Sequence, residues 1–171
     1  MAPFEIGDPA FHLVKNGAVT LYWRTEILEE LVAGLVQGGY QIVRLDAGSW
    51  TKQADFHRDI KAALDFPDYY GRNLDAFNDC MRDVASWDYG ASRDATGTVL
   101  VFTGYDAFAS REPQAAQHIL DIVALNARRA MLYGHRLLCL VQSNDPNIIF
   151  EPVGATPVLW NPAEWANHMR G

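Results

Sequence analysis

Two apolar runs constrain this chain more than anything else in it. Thr98-Val99-Leu100-Val101-Phe102 and the run from Arg136 to Val141 show no apolar–polar alternation, so neither can be a strand with one wet face. Strands buried on both faces belong to parallel sheets, whose crossovers lay helices over the surface. The remaining segments fit that grammar. Val19 to Trp23 is β-branched and aromatic and reads as a short strand. Thr25 is expected to cap a helix reaching about Gln37, with Ile27, Leu28, Leu31 and Leu35 on its apolar stripe and Gly38-Gly39 as its stop. Tyr40 to Leu45 is the next strand. Ser49 to Thr51 starts a helix in which Phe56, Ile60 and Leu64 recur every four residues. Glu112-Pro113 opens a long helix to about Leu132, closed by Gly134, with Ile119, Ile122, Val123, Leu125 and Ala130 facing inward. Strand, helix, helix, strand, helix, strand predicts an α/β domain, a small parallel β-sheet covered by helices.

The ends of the chain are less regular. Gly7-Asp8-Pro9 and Lys15-Asn16-Gly17 read as turns. Ile148 to Phe150 and Pro157 to Trp160 are candidate edge strands, and Pro162 could open a terminal helix over 163–169. At 171 residues the chain suits one domain with a sizeable core rather than two.

Between the second helix and a loop over residues 85–97 lies Pro67-Asp68-Tyr69-Tyr70-Gly71-Arg72-Asn73-Leu74-Asp75-Ala76-Phe77-Asn78-Asp79-Cys80-Met81. Pro67 resists helix in the residue before it, and Gly71 supplies backbone freedom at a bend. Asn73 is a good N-cap. From there Leu74, Phe77, Met81 and Val84 form one apolar stripe, while Asp75, Asn78, Asp79 and Arg82 fall on another face. At ~100° per residue Asp75 and Asp79 lie ~40° apart around the axis. Two carboxylates therefore point the same way near a helix start, beside a pair of tyrosines. An ordinary solvated face would look similar, since Asp in a first turn also complements the helix dipole.

Charge narrows the choice of partners. The chain carries a formal −7, and residues 65–94 hold seven aspartates against three arginines. Nucleic acid bound through its phosphates calls for clustered Lys and Arg, so an acidic chain of this kind points away from nucleic acid and toward a basic protein. No run approaches the ~20 apolar residues of a membrane span. Met1 to Glu5 lacks the pattern of a secretory signal. Cys80 and Cys139, far apart, read as reduced thiols, so the expected location is cytoplasmic.

Catalysis finds little support. Paired carboxyls for glycosidase-type chemistry sit ~5 to 9 Å apart in a cleft, and an exposed helix does not offer one. The histidines His12, His57, His118, His135 and His168 are scattered, with no metal-ligand spacing. No glycine-rich phosphate loop follows a strand. No cofactor, no metal and no enzymatic activity are expected.

The wording of the central stretch, Tyr-Tyr-Gly-x-Asn-Leu-Asp-Ala followed by Asp79-Cys80, resembles the barstar family, intracellular protein inhibitors of barnase-type secreted ribonucleases. The resemblance covers roughly residues 41–142. It implies a barstar-like core over that span, with an added N-terminal strand-helix in 1–40 and a C-terminal edge segment in 143–171. It further implies a stoichiometric inhibitor or immunity protein whose partner is a basic ribonuclease or related toxin, occluded without a cofactor. The partner-binding residues would be Tyr69, Asn73, Asp75, Asn78 and Asp79. Tyr69 matches a contact tyrosine, Asp75 a partner of a basic residue, and Asp79 the aspartate that enters the phosphate site. Tyr70, Gly71, Leu74 and Ala76 match positions that build the turn, and Cys80 a structural cysteine. This chain departs from the family pattern at Asn78, where a tryptophan is expected, and at Arg72, where an acid is. It departs again at Arg128 or Arg129, in place of a late-helix glutamate. A loop tryptophan has no clear match either: Val84 holds its ungapped position, with Trp87 and Tyr89 in an insertion. The altered face suggests a cognate enzyme other than barnase. The alternative is a regulatory binding module that keeps the scaffold for a partner that is not a nuclease.

Overall fold

A computed structural model describes residues 8, 10–15 and 17–171. The turn at Gly7-Asp8-Pro9 falls, Asp8 apart, outside the described residues, as does Asn16 of the second turn. The elements are α1 (Phe11–Lys15), β1 (Val19–Tyr22), α2 (Thr25–Gln37), β2 (Gln41–Asp46), α3 (Gln53–Ala63), α4 (Leu74–Ala85), β3 (Thr98–Thr103), α5 (Tyr105–Arg111), α6 (Pro113–Leu132), β4 (Leu137–Gln142) and β5 (Leu159–Trp160).

All five strands pair in parallel, in the order β2-β3-β4-β1-β5. The two runs without alternation become β3 and β4, buried throughout save Thr103. Their side chains split between two cores. Val99, Val101, Leu138 and Leu140 face α1 and α2, meeting Leu13, Leu28, Val32 and Leu35. Leu100, Phe102, Leu137, Cys139 and Val141 face the larger core built by α3, α4, α5 and α6. Trp50, wholly buried, anchors that side with edge contacts to Phe56, Phe102 and Phe108 at 5.1–5.9 Å.

Both extensions join the sheet. β1 pairs with β4, and β5 pairs with the far side of β1, so they lengthen one side of the β2-β3-β4 core. The outer strands resist further pairing in two ways. β5 is only two residues long. β2 exposes Arg44 and Asp46, and Arg44 is held by Glu29 of α2 in a bidentate pair at 2.7 and 2.8 Å.

Four expectations from the sequence need correction, and one element was missed. Thr25 begins α2 but does not cap it. The amides of Trp23 and Arg24 donate instead to the two carboxylate oxygens of Glu164, 3.0 Å each, from 140 residues away. A distant cap of that kind leaves no local signature. The segment 163–169 is not a helix, and only a 3₁₀ turn over Asn167–Met169 forms there. Its Glu164 is fully buried and committed to β1, and Arg170 binds the carbonyls of Pro146, Glu164 and Trp165. Ile148 to Phe150 is not a strand; Phe150 tucks against Tyr105 at 5.8 Å. Leu125 is 37% exposed rather than inward. Finally, α5 was not anticipated, being two turns long with a left-handed Gly104 just before it.

Removing the Glu164 carboxylate orphans two backbone amides and takes one of two acceptors from the Asn161 side-chain amide, which keeps the Leu21 carbonyl at 3.1 Å. Stranded buried donors cost about 1–3 kcal/mol each. Glu164→Ala is therefore expected to destabilise by about 2–5 kcal/mol, read as a lower urea midpoint with the m-value unchanged.

Candidate protein-binding face on helix α4

Asn73 caps α4 as its type predicts: its Oδ1 accepts the Ala76 amide at 2.8 Å. The apolar stripe turns inward, with Phe77, Cys80, Met81, Val84 and Ala85 buried and Leu74 half-buried. The opposite face is wet. Asp75 and Asp79 are exposed, and Asp79 faces Arg82 at 3.6 Å, one turn on. Asp75 has no hydrogen-bond or ion-pair partner among the described residues. Tyr69 stands 79% exposed at the entry to the helix. Tyr69, Asn73, Asp75 and Asp79 thus share an open surface of one helix and the turn that leads into it.

Asn78 behaves differently. It is half-buried, and its Oδ1 accepts from Nδ2 of the fully buried Asn126 on α6 at 2.9 Å. The same Nδ2 donates to the Ile122 carbonyl at 2.9 Å, and Arg129 Nη1 reaches Asn126 Oδ1 at 3.5 Å. Asn78 therefore stitches α4 to α6 while bordering the exposed face. Arg129 sits beside that seam, and Arg128 turns away to donate to the Gly154 carbonyl at 2.6 Å.

The turn before α4 is built on a buried hub. Tyr70 packs on Phe66 at 5.0 Å, and its hydroxyl meets His57 Nδ1, while His57 Nε2 meets the Gln53 amide at 2.9 Å. Burial, with the Arg72 guanidinium nearby, pushes the His57 pKa down to about 4 and keeps the ring neutral. Gly71, expected to supply the unusual backbone, does not take a positive φ; the left-handed residue is Arg72, at φ 53°. Non-glycine residues in that region cost about 1–2 kcal/mol and are held there by their surroundings.

The insertion after α4 turns back onto the body of the fold. Trp87, itself left-handed at φ 70°, stacks on His135 with ring centroids 3.7 Å apart, and its indole donates to the Tyr133 carbonyl at 3.2 Å. Tyr89 donates to Asp83 at 3.0 Å. The Cys80 and Cys139 thiols are buried and unpaired, and burial raises both pKa values. Among the described residues no group of three or more His, Cys, Asp or Glu could hold a metal, and no helix is long and apolar enough to cross a membrane.

The crevice at the carboxyl ends of the strands, where open α/β sheets take ligands, is closed by this chain's own side chains. Gln142 accepts the Gly104 amide at 2.8 Å and donates to the Trp23 carbonyl at 3.1 Å, spanning β3, β4 and β1. Glu164 seals the end of β1. The α4 face, by contrast, is open to solvent.

A family model described as "Barstar (barnase inhibitor)" matches residues 40–142, which hold β2, α3, α4, β3, α5, α6 and β4. The chain belongs to the barstar family. A stretch of 25 residues is 72% identical to the "Putative ribonuclease inhibitor YrdF" of Bacillus subtilis (strain 168), covering 15% of this chain and 28% of that protein. The family core ends at β4, so β1 and β5 lie outside it.

The His57 hub makes stability depend on pH. The ordinary imidazole pKa is near 6.5, so between pH 6.5 and 4 the unfolded chain binds more protons than the folded one. Stability is full above pH 6.5 and falls as pH drops through that window. At pH 5 the loss is about 2 kcal/mol relative to pH 7. His135, shifted down by burial too, adds to the slope. His57→Asn, whose side-chain amide can still hydrogen-bond to the Tyr70 hydroxyl, is expected to remove the larger part of it in urea titrations at pH 7 and 5.

Proposed function

We propose that this barstar-family protein is a stoichiometric inhibitor of a basic ribonuclease or related toxin, using the exposed face of α4 to occlude the enzyme's phosphate site. The observation that carries the reading is the pair Asp75 and Asp79, open to solvent on one face of a helix capped by Asn73 and flanked by the exposed Tyr69. Two carboxylates one turn apart can replace RNA phosphates against clustered Arg and Lys, with bidentate arginine contacts as the strong ones. Tyr69 adds large contact area at low entropy cost. An acidic face also draws a basic enzyme in faster than diffusion alone allows. The barnase–barstar pair is itself an example behind these interface generalities, so the support for this chain is its own geometry.

Inhibition of this kind is binding, with no turnover and no cofactor. Asn73 and Asn78 contribute by fixing the helix and its seam as much as by contact. Residues 41–142 would form the inhibitor core, with 1–40 and 143–171 completing the sheet of a single domain. A cytoplasmic location fits two buried, unpaired cysteines.

The test is a titration of the protein into barnase and related ribonucleases while RNA cleavage is followed. The expected outcome is a one-to-one endpoint and an affinity that falls with added salt. Asp79→Ala should raise the dissociation constant about a hundredfold or more, the scale of a charge pair losing one partner in a desolvated interface. Enzymes that all stay active at excess protein would overturn the reading.

A further inference from the structure

The α4 face has a neighbour of opposite character. Helices α4 and α6 pack side by side and run the same way, since Asn78 meets Asn126 near the middle and Trp87 meets Tyr133 at the end. On α6, Leu125, Arg129 and Leu132 are spaced i, i+4 and i+7, within about 60° of one another around the axis. Arg129 lies about 60° from Asn126, the residue aimed at α4. This row therefore flanks the seam on its solvent side. Leu132 is 85% exposed, and the next residue, Tyr133, is 58% exposed. Arg129 makes one contact, with Asn126, and its other donors have no partner among the described residues.

A lone exposed leucine needs no explanation. Here Leu132 and Tyr133 are consecutive, stand beside an arginine, and adjoin the charged face of α4. Arginine and tyrosine are the side chains most enriched where interfaces hold their energy. The charge pattern also disagrees with a uniformly basic partner. On α4 Arg82 is paired with Asp79 at 3.6 Å and Asp83 at 3.9 Å, while Arg129 of α6 sits at the seam beside Asn126 and makes no ion pair among the described residues. A partner cationic throughout would meet the Arg129 guanidinium, which has no carboxylate to neutralise it among the described residues.

We infer that the partner's surface is bipolar: beside the cationic cleft that receives Asp75 and Asp79 it carries a carboxylate for Arg129 and an apolar contact for Leu132 and Tyr133. The inference rests on the inhibitor reading of α4 and names what kind of ribonuclease the face selects. Carboxylates on α4 govern encounter, and the α6 shoulder governs residence and choice of enzyme.

Surface plasmon resonance with a panel of catalytically inactive barnase-type ribonucleases, differing in the charge beside the active site, tests this on the whole 171-residue chain. Leu132→Ser is expected to raise the dissociation rate about tenfold while the association rate and its salt dependence stay as in wild type. Arg129→Glu should weaken binding tenfold or more. Asp79→Ala should slow association as well as lower affinity. If Asp79→Ala weakens binding while Arg129→Glu tightens it and Leu132→Ser changes nothing, the bipolar partner is refuted and the inhibitor reading of α4 survives. If Asp79→Ala is neutral, or if no enzyme of the panel binds at micromolar concentration, both fall. Both α6 substitutions are made at or beside the solvent side of the helix, and urea midpoints equal to wild type would verify that the fold is intact.

Discussion

Each backbone amide and carbonyl of β4 has to find its partner on a neighbouring strand, because β4 is buried on both faces and water cannot substitute. β3 supplies one side and β1 the other. From that requirement the layering follows. A strand buried above and below needs helices on both faces, so α1 and α2 cover one and α3 to α6 the other. The family core on its own supplies β3 but leaves the far side of β4 to be filled, and β1 fills it from outside residues 40–142. β1 then needs an outer partner of its own, which β5 provides over only two residues. Glu164 takes the next two amides after β1, so the carboxyl end of that strand is closed off by a side chain.

The parts legible in the sequence are those whose physics is local. Non-alternating apolar runs gave β3 and β4, the four-residue rhythm gave α3 and the buried stripe of α4, and an asparagine before that stripe gave the cap. Elements decided at a distance were misread. Pro162 with the residues after it has the pattern of a helix start, yet burying the Glu164 carboxylate against β1 satisfies more backbone than a short exposed helix could. Leu125 fits an inward stripe by type, and only the position of α4 decides which side of α6 is shielded. Arg72 holds the left-handed conformation because the buried Tyr70 and the capped Asn73 fix the chain on either side of it. Composition pointed to the glycine beside it.

The candidate site divides along the same line. Asp75 and Asp79 were placed on one exposed face by spacing alone, a property of helix geometry, whereas Tyr69, in the turn before the helix, was singled out by the family resemblance. Asn78 was grouped with them for the same reason, but its amide is engaged by α6. A tryptophan there would bring a large contact surface. An asparagine brings a fixed hydrogen bond, trading contact area for the stiffness of the α4–α6 seam. Arg128 or Arg129 was already placed with Asn78 on the altered face by the family resemblance; that it is Arg129 that meets the seam, through Asn126, shows only in the fold.

Stiffness of that seam bears on how an inhibitory helix works. Affinity is lost when binding has to order the surface, so a helix held before encounter keeps more of its contact energy. α4 lies on α6, and α6 is gripped on its outer side by the C-terminal extension. The Gln117 side chain exchanges hydrogen bonds with the backbone of Glu151 at 3.0 Å, Asp121 accepts the Gly154 amide at 2.8 Å, and Arg128 donates to the Gly154 carbonyl. Val153 reaches into the core between them. The extension thus touches the opposite side of the platform from the carboxylates. It stabilises the geometry of the α4 face without occupying it, leaving that face free to vary in charge while its support stays the same.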